Sequence, residues 1–482
     1  MSSRSSSRDA SVEKLPLLSP PPLTRRQPEI APASRVYVNR NLRLSNIKWV
    51  GFDMDYTLAR YRQEAMDKLS IEATVKKMVE LGRPESLLTA RFDASFPIRG
   101  LHVDRQLGNV IKMDRYRYVK RAYHGSRALS VEERKATYRG RPVLPGTKRF
   151  HWVDTLYALP EVAVFTGTVD HLEELARARG EVPAIDYAAL FDEVRKSIDL
   201  AHQDGSINGV IEKDFAHYVE RDPLLPEALH QLRASGKKLF LLTNSRAGYS
   251  DGMMRFLLDG AIPAYESWKS YFDIVLCFAC KPSFFQEAAR PFVIMDEAHQ
   301  ALRESDTIEP GMVHEGGCLG PLEKALGVTG DEILYVGDHI YGDVLRAKKE
   351  SAWRTVMVVQ EMESELRAHT LAEPGLAQLE AMAAEAEDLH DILASPQLEG
   401  LAQAASERLR LLELEQDALE DVADRAFHAA WGSLFKVGSE VSSFGDQIER
   451  FACLYTERVS NLLRYANTHY FRGPLDRMPH ER

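Results

Sequence analysis

Short apolar runs recur along this chain, and four of them end in polar residues able to do chemistry. Residues 47–51 precede Asp53, and residues 238–242 precede Thr243 and Asn244. Residues 272–278 precede Lys281, and residues 332–336 precede Gly337 and Asp338. Each run adjoins a helical pattern. Short apolar strands alternating with helices predict an α/β fold whose parallel sheet is covered on both faces. Ligands of such sheets bind at the carboxyl ends of the strands. The four polar sets are therefore expected to converge on one edge of one sheet.

The first and second of these strands lie too far apart for a simple crossover. An inserted domain is expected between them. Its stretch 99–149 is basic and aromatic, with Lys112, Arg115, Tyr116, Arg117, Lys120, Arg121 and Tyr123. That stretch reads either as a solvated two-stranded element or as a rim that attracts an anion. Beyond about residue 370 the composition shifts to Ala, Leu and Glu. Ala405, Leu409, Leu412, Gln416 and Leu419 alternate spacings of four and three, which predicts an amphipathic helix, one arm of a helical hairpin. Residues 444–465 are expected to form another helix. The helical tail reads either as intramolecular packing or as a homo-oligomer contact.

Composition narrows the class. The chain has 482 residues, 44% of them apolar and 27% charged, with a net charge of −10. These are the proportions of a soluble globular protein. The negative charge argues against binding a nucleic acid polymer. No apolar run approaches about 18 residues, so no membrane span is expected, nor does the N-terminus carry a signal-peptide core. Four cysteines make no disulfide framework, and a cytoplasmic location is expected. The Ser-, Arg- and Pro-rich residues 1–34 are expected to be a disordered tail.

The polar strand ends suit phosphoryl transfer. Asp53 and Asp55 form an Asp-x-Asp pair in Phe52-Asp53-Met54-Asp55-Tyr56-Thr57-Leu58-Ala59. A carboxylate can attack phosphorus to give an aspartyl-phosphate, which makes Asp53 the candidate nucleophile. Asp55 is placed to protonate the leaving oxygen and later to activate water. Two anions approach each other only when positive charge screens them. Mg²⁺ does so with oxygen ligands, and Asp338 is the candidate ligand. Asp343 either holds a metal-bound water or orients Lys281. Lys281, Thr243 and the backbone around Asn244-Ser245 are candidates to bind the phosphoryl oxygens.

These four segments resemble the signature motifs of the haloacid dehalogenase superfamily. They are closer still to its subfamily IG 5′-nucleotidases, the cytosolic purine 5′-nucleotidase type II-like group. The matching segments are the octapeptide above, Leu242-Thr243-Asn244-Ser245, Lys281-Pro282, and the run from Tyr335 to Asp343. Asp154-Thr155-Leu156-Tyr157-Ala158-Leu159-Pro160-Glu161, Trp353-Arg354-Thr355 and the end segment from Tyr470 to Glu481 also match. The resemblance implies a Rossmann-like core at 35–75 and 222–370, an α+β cap inserted at 76–221, and a C-terminal helical extension at 371–482. It implies Mg²⁺-dependent hydrolysis of nucleoside 5′-monophosphates, with Asp53 as nucleophile and Asp55 as acid/base. Asp55 would also offer Mg²⁺ its backbone carbonyl, beside Asp53, Asp338 and Asp343. Purine-selective members carry an aromatic and an amide after a His-Gly pair in the cap. Here His124-Gly125 is followed by Ser126-Arg127, which leaves the base open. A phosphatase for another small phosphate ester, and a catalytically retired scaffold of the same fold, are the competing readings.

Three further signals carry less. Cys277 and Cys280 close a strand and lack two more ligands for zinc, so burial explains them. The glycine-rich stretch 311–327 lacks the Gly-Lys-Ser/Thr ending of a triphosphate loop. His339 lies among acids, yet Mg²⁺ prefers oxygen, so it is read as a positioning or packing residue.

Overall fold

A computed structural model describes residues 30–138, 143–144, 146–474 and 480. The expected disordered tail lies almost wholly outside the described residues. So does most of the end segment between Gly473 and Glu481.

The centre is a ten-stranded sheet. Strand Trp49–Phe52 runs parallel to Lys238–Leu242 on one side and to Ile333–Gly337 on the other. Ile274–Cys277 and Val313–Gly316 continue one flank in parallel. Arg354–Val358 and Leu454–Thr456 continue the other. Antiparallel strands close both edges: Tyr37–Val38 on one, Phe292–Met295 and then Ala301–Ser305 on the other. Trp49–Phe52, Ile274–Cys277 and Ile333–Gly337 are buried throughout. Burial on both faces is why these strands read as unbroken apolar runs.

The inserted segment carries a five-stranded antiparallel sheet. Its order is Arg127–Ala128, Val119–His124, Asn109–Met113, His102–Asp104 and Phe150–Trp152. Beside it, helix Leu159–Ala178 buries Val162, Phe165 and Val169, and helix Tyr187–Gln203 buries Phe191 and Val194.

The basic stretch is solvated only in part: Tyr116, Arg117, Tyr118 and Lys120 are exposed, whereas Asn109–Met113 is buried throughout. Three of its cations, Lys112, Arg115 and Arg121, are spent on the C-terminal region. Lys112 Nζ donates to the carbonyls of Trp431 and Lys436 at 2.7 and 2.8 Å, and to that of Ser433. Arg121 pairs with Asp424, and Arg115 donates to Asp446 at 3.1 Å. Burial pushes the Lys112 amine down to about 7, against the pull of Asp424. Replacing Lys112 with Met strands three carbonyls in the interior. A loss of roughly 3 kcal/mol is expected, at about 1 kcal/mol or more per orphaned acceptor. Urea denaturation of the variant against wild type measures it.

The tail is helical only in part. Helices Met362–Ala394 and Ala402–Phe427 form a hairpin. The expected helix over 444–465 is instead three elements. Ser443–Phe451 is a helix capped by the Ser442 side chain, Leu454–Thr456 is a strand of the central sheet, and Val459–Arg464 is a 3₁₀ turn. The strand wins because it completes a parallel ladder with Arg354–Val358, a pairing of distant segments that local periodicity does not register.

Candidate active site

Asp53 follows the central strand directly, and its backbone N–H donates to Val336 O at 2.9 Å. The flanking strands deliver the other groups to the same edge. Thr243 follows Lys238–Leu242, Lys281 follows the turn after Ile274–Cys277, and Asp338 follows Ile333–Gly337. A π-helical turn, Ile340–Leu345, then brings Asp343 back to the edge. Such turns are short and recur at functional sites. Gly337 is required here, because a Cβ at that position would lie 2.5 Å from Asp343 Oδ2.

Lys281 is the hub. Its ammonium lies 2.9 Å from Asp53 Oδ1, 2.7 Å from Asp343 Oδ1 and 2.9 Å from the Tyr335 hydroxyl. Burial lowers its pKa, but Asp343 and Asp53 outweigh that and hold it protonated. Asp53 Oδ1 also accepts from the Met54 N–H at 2.8 Å. Burial raises the Asp53 pKa well above the usual carboxylate value, although Lys281 opposes the rise. Asp55 accepts from the Tyr61 hydroxyl on Oδ1 and from Ser245 Oγ on Oδ2, both at 2.6 Å. Burial raises its pKa too, and these two donors offset part of the rise.

Asp53, Asp338 and Asp343 each turn a carboxylate oxygen into one cluster, with those atoms within 4.8 Å of one another. Asp338 Oδ2 is buried and has no hydrogen-bond partner among the described residues. Burial, then Asp343, pushes Asp338 up to about 7. An all-oxygen donor set with an orphaned buried acid suits a hard divalent cation. The residues present therefore fit Mg²⁺. The side chain of Asp55 lies outside this trio.

The remaining expected residues divide. Thr243 Oγ1 accepts from the Ser245 N–H at 3.1 Å, and Ser245 serves Asp55. The Asn244 side chain is committed to the Lys281 backbone, which it grips at 2.6 and 3.0 Å. Its amide positions Lys281, and its backbone is what remains for a ligand. His339 Nε2 lies 2.8 Å from Asp154 Oδ2, which ties the inserted segment to the acidic loop and supports the positioning reading. Asp154 holds the His339 imidazole charged, at about 9, against the lowering effect of burial. Cys277 is buried, Cys280 is half-buried, and both are free thiols.

Sequence reasoning gave no site role to Tyr61, Tyr335 or Arg99. Tyr335 alternates with Leu334 and Val336 in a buried strand, so nothing but its hydroxyl distinguished it. Arg99 is 1% exposed and donates to the Asp338 carbonyl at 3.0 Å while pairing with Glu361. In the sequence it was one more cation of a basic stretch.

The sheet edge that carries these residues opens into a cleft of about 980 Å³. Asp53, Asp55, Asn244, Ser245 and Asp338 line one wall, and His151, Trp152, Asp154, Tyr157 and Arg195 line the other. The turn holding Ser126 and Arg127 is not part of that lining. Arg127 pairs instead with Glu133, and Ser126 donates its N–H to Asp170.

The 5′ nucleotidase family model matches residues 36–482. The chain belongs to the 5′ nucleotidase family. It is 29% identical over 462 residues to a 5′-nucleotidase domain-containing protein of Dictyostelium discoideum, covering 92% of this chain and 74% of that one. It is likewise 29% identical over 451 residues to human 5′-nucleotidase domain-containing protein 2, covering 89% and 82%. Among solved structures, a predicted phosphoglycolate phosphatase from Haemophilus somnus matches with a TM-score of 0.26 and 13% identity. That match covers 65% of this chain and 86% of the other. Family membership assigns the chain to the phosphatases.

Proposed function

We propose that the chain hydrolyses nucleoside 5′-monophosphates with Mg²⁺ through an aspartyl-phosphate. The observation that carries this reading is the contact of Asp53 Oδ1 with Lys281 and the Met54 N–H, within an acidic trio. Both contacts fall on Oδ1, which leaves Oδ2 as the attacking atom. It bonds to phosphorus as the ester oxygen departs. Burial raises the Asp55 pKa, which suits it to give the leaving oxygen its proton, and Lys281 opposes the same rise at Asp53 and so favours the carboxylate that attacks. An alkoxide leaves poorly without that proton. Asp55 then takes a proton from the water that cleaves the acyl phosphate, and Asp53 is regenerated. Lys281 and the backbone N–H groups after Thr243 hold the phosphoryl oxygens. Bound at Asp53, Asp338, Asp343 and the Asp55 carbonyl, Mg²⁺ would screen the charge of the phosphate from that of the acids.

The cleft volume sits at the upper end of small-molecule pockets, about 300–1,000 Å³, which suits a nucleotide better than a small sugar phosphate. A nucleoside entering in place of water would give phosphotransfer from the same intermediate.

Phosphate release is to be measured on nucleoside 5′-monophosphates and sugar phosphates, with Mg²⁺ and with chelator. Turnover of nucleotides with Mg²⁺ alone is expected. Faster turnover of a sugar phosphate reassigns the substrate. A folded, metal-supplied sample that releases nothing from any ester makes the chain a scaffold.

A further inference from the structure

Among the described residues, two arginines line the cleft, Arg195 and Arg246. Arg195 is committed to its own wall, 3.1 Å from His151 Nε2 and 3.7 Å from Glu161 Oε1. Arg246 is not. Its side chain is 67% exposed, and its one polar contact among the described residues is with Glu315 Oε2 at 3.3 Å. Glu315 is itself engaged, since its Oε1 accepts from the Ala247 N–H at 2.8 Å. A guanidinium carries more N–H donors than one such contact uses, so most of those on Arg246 remain for a ligand.

Arg246 is held in place. Its guanidinium lies over the Phe278 ring, 4.0 Å from the centroid. Phe278 stands in the left-handed region at φ 45°, where a bulky side chain is uncommon. Its N–H donates to the Ser245 carbonyl at 2.8 Å, which fixes that conformation. Residues strained in this way cluster at ligand clamps. Stacking on a ring occupies the face of a guanidinium and leaves free the edge that grips a phosphate.

Position decides which phosphate that is. Arg246 follows Ser245, whose Oγ donates to Asp55, and Phe278 lies three residues before Lys281. Arg246 therefore adjoins the reacting groups without joining them. Phe278 follows the second strand out from Trp49–Phe52, and Glu315 lies on the third. At about 4.8 Å per strand, the stacked guanidinium stands roughly 10 Å from the strand that carries Asp53. Lys281 spans that gap by reaching back to Asp53, whereas Arg246 is drawn the other way by Glu315. The phosphoryl group bonded at Asp53 is thus out of its reach, and a second anionic group of the same substrate is not. A phosphate brings more negative charge than the Glu315 carboxylate and so competes with it for these donors.

We propose that Arg246, stacked on Phe278, binds a second phosphate of the substrate. Resting on the nucleotide reading above, the substrate is a nucleoside 3′,5′-bisphosphate, with its 5′ phosphate at Asp53 and its 3′ phosphate at Arg246. Hydrolysis with water releases the 5′ group as inorganic phosphate and leaves a nucleoside 3′-phosphate. A sugar bisphosphate offers the same chemistry, and the experiment separates the two sources.

The test is calorimetry with Mg²⁺ on the full chain carrying Asp53→Asn, which holds a substrate without consuming it. Adenosine and guanosine 5′-monophosphates are compared with their 3′,5′-bisphosphates, and fructose 6-phosphate with fructose 1,6-bisphosphate. The nucleoside bisphosphates are expected to bind about tenfold tighter than the monophosphates, or more. Adding Arg246→Gln should bring that ratio down to about one, with unchanged circular dichroism, since the side chain is exposed. Equal affinity for one phosphate and two overturns the proposal, as does a preference that survives Arg246→Gln. A loss of equal size for both ligands also overturns it, by placing Arg246 on the transferred phosphate. A preference confined to the sugar pair, and lost with Arg246→Gln, keeps the second phosphate at Arg246 and ends the nucleotide reading.

Discussion

Asp53→Asn is expected to end phosphate release while leaving the fold in place. The amide keeps the shape of the carboxylate, and its oxygen still accepts from the Met54 N–H and from Lys281. What it loses is the nucleophile. Removing an attacking group from a site that acts as a unit costs on the order of 10⁴-fold or more in rate. Stability should not fall, because one of four crowded acids is neutralised and burial already opposes its charge. The measurement pairs a phosphate-release assay with a thermal melt. Acid quenching during turnover should trap labelled phosphate on wild type and none on the variant. Residual turnover within tenfold of wild type would remove Asp53 from the nucleophile's role and leave direct attack by water.

The strand-end residues were legible in the sequence for the reason they are useful. A buried parallel strand must be apolar along its length, so a carboxylate or lysine at its end stands out against the run before it. The Lys238–Leu242 strand coincides with its apolar run from end to end. Partnerships between distant segments were not legible. The basic stretch looked solvated because the groups that accept from Lys112 and Arg121 lie some three hundred residues later. Arg99 was hidden in the same way, since its burial is created by Glu361 and the Asp338 carbonyl. Leu454–Thr456 has apolar spacing that suits a helix, and only the open edge of Arg354–Val358 makes it a strand. The hairpin helix was visible through its packed face at helical spacing.

Lys281→Met should abolish turnover, and unlike the change at Asp53 it should also unsettle the fold. The lysine spends its three ammonium protons on Asp53, Asp343 and Tyr335. Methionine fills much of the same volume but leaves those acids buried without their counter-charge. Removing one partner of a buried pair costs about 3–5 kcal/mol. The loss should depend on pH, and its sign follows from Asp338. This acid sits near 7 in the folded chain, above the 3.8 of a free aspartate. A raised folded pKa gives stability that is full below the unfolded value and is lost as pH rises through the folded one. Lys281 is among the charges that restrain the rise at both Asp338 and Asp53, so its removal widens that window upward. Urea melts of the chelated variant should therefore lie near wild type around pH 4 and fall furthest below it around pH 8. Added Mg²⁺ should recover part of the deficit at pH 8, because a cation bound by the folded state alone stabilises it by mass action. A deficit of equal size at both pH values would show that Lys281 acts through packing, and that the acids around it carry no charge to be balanced.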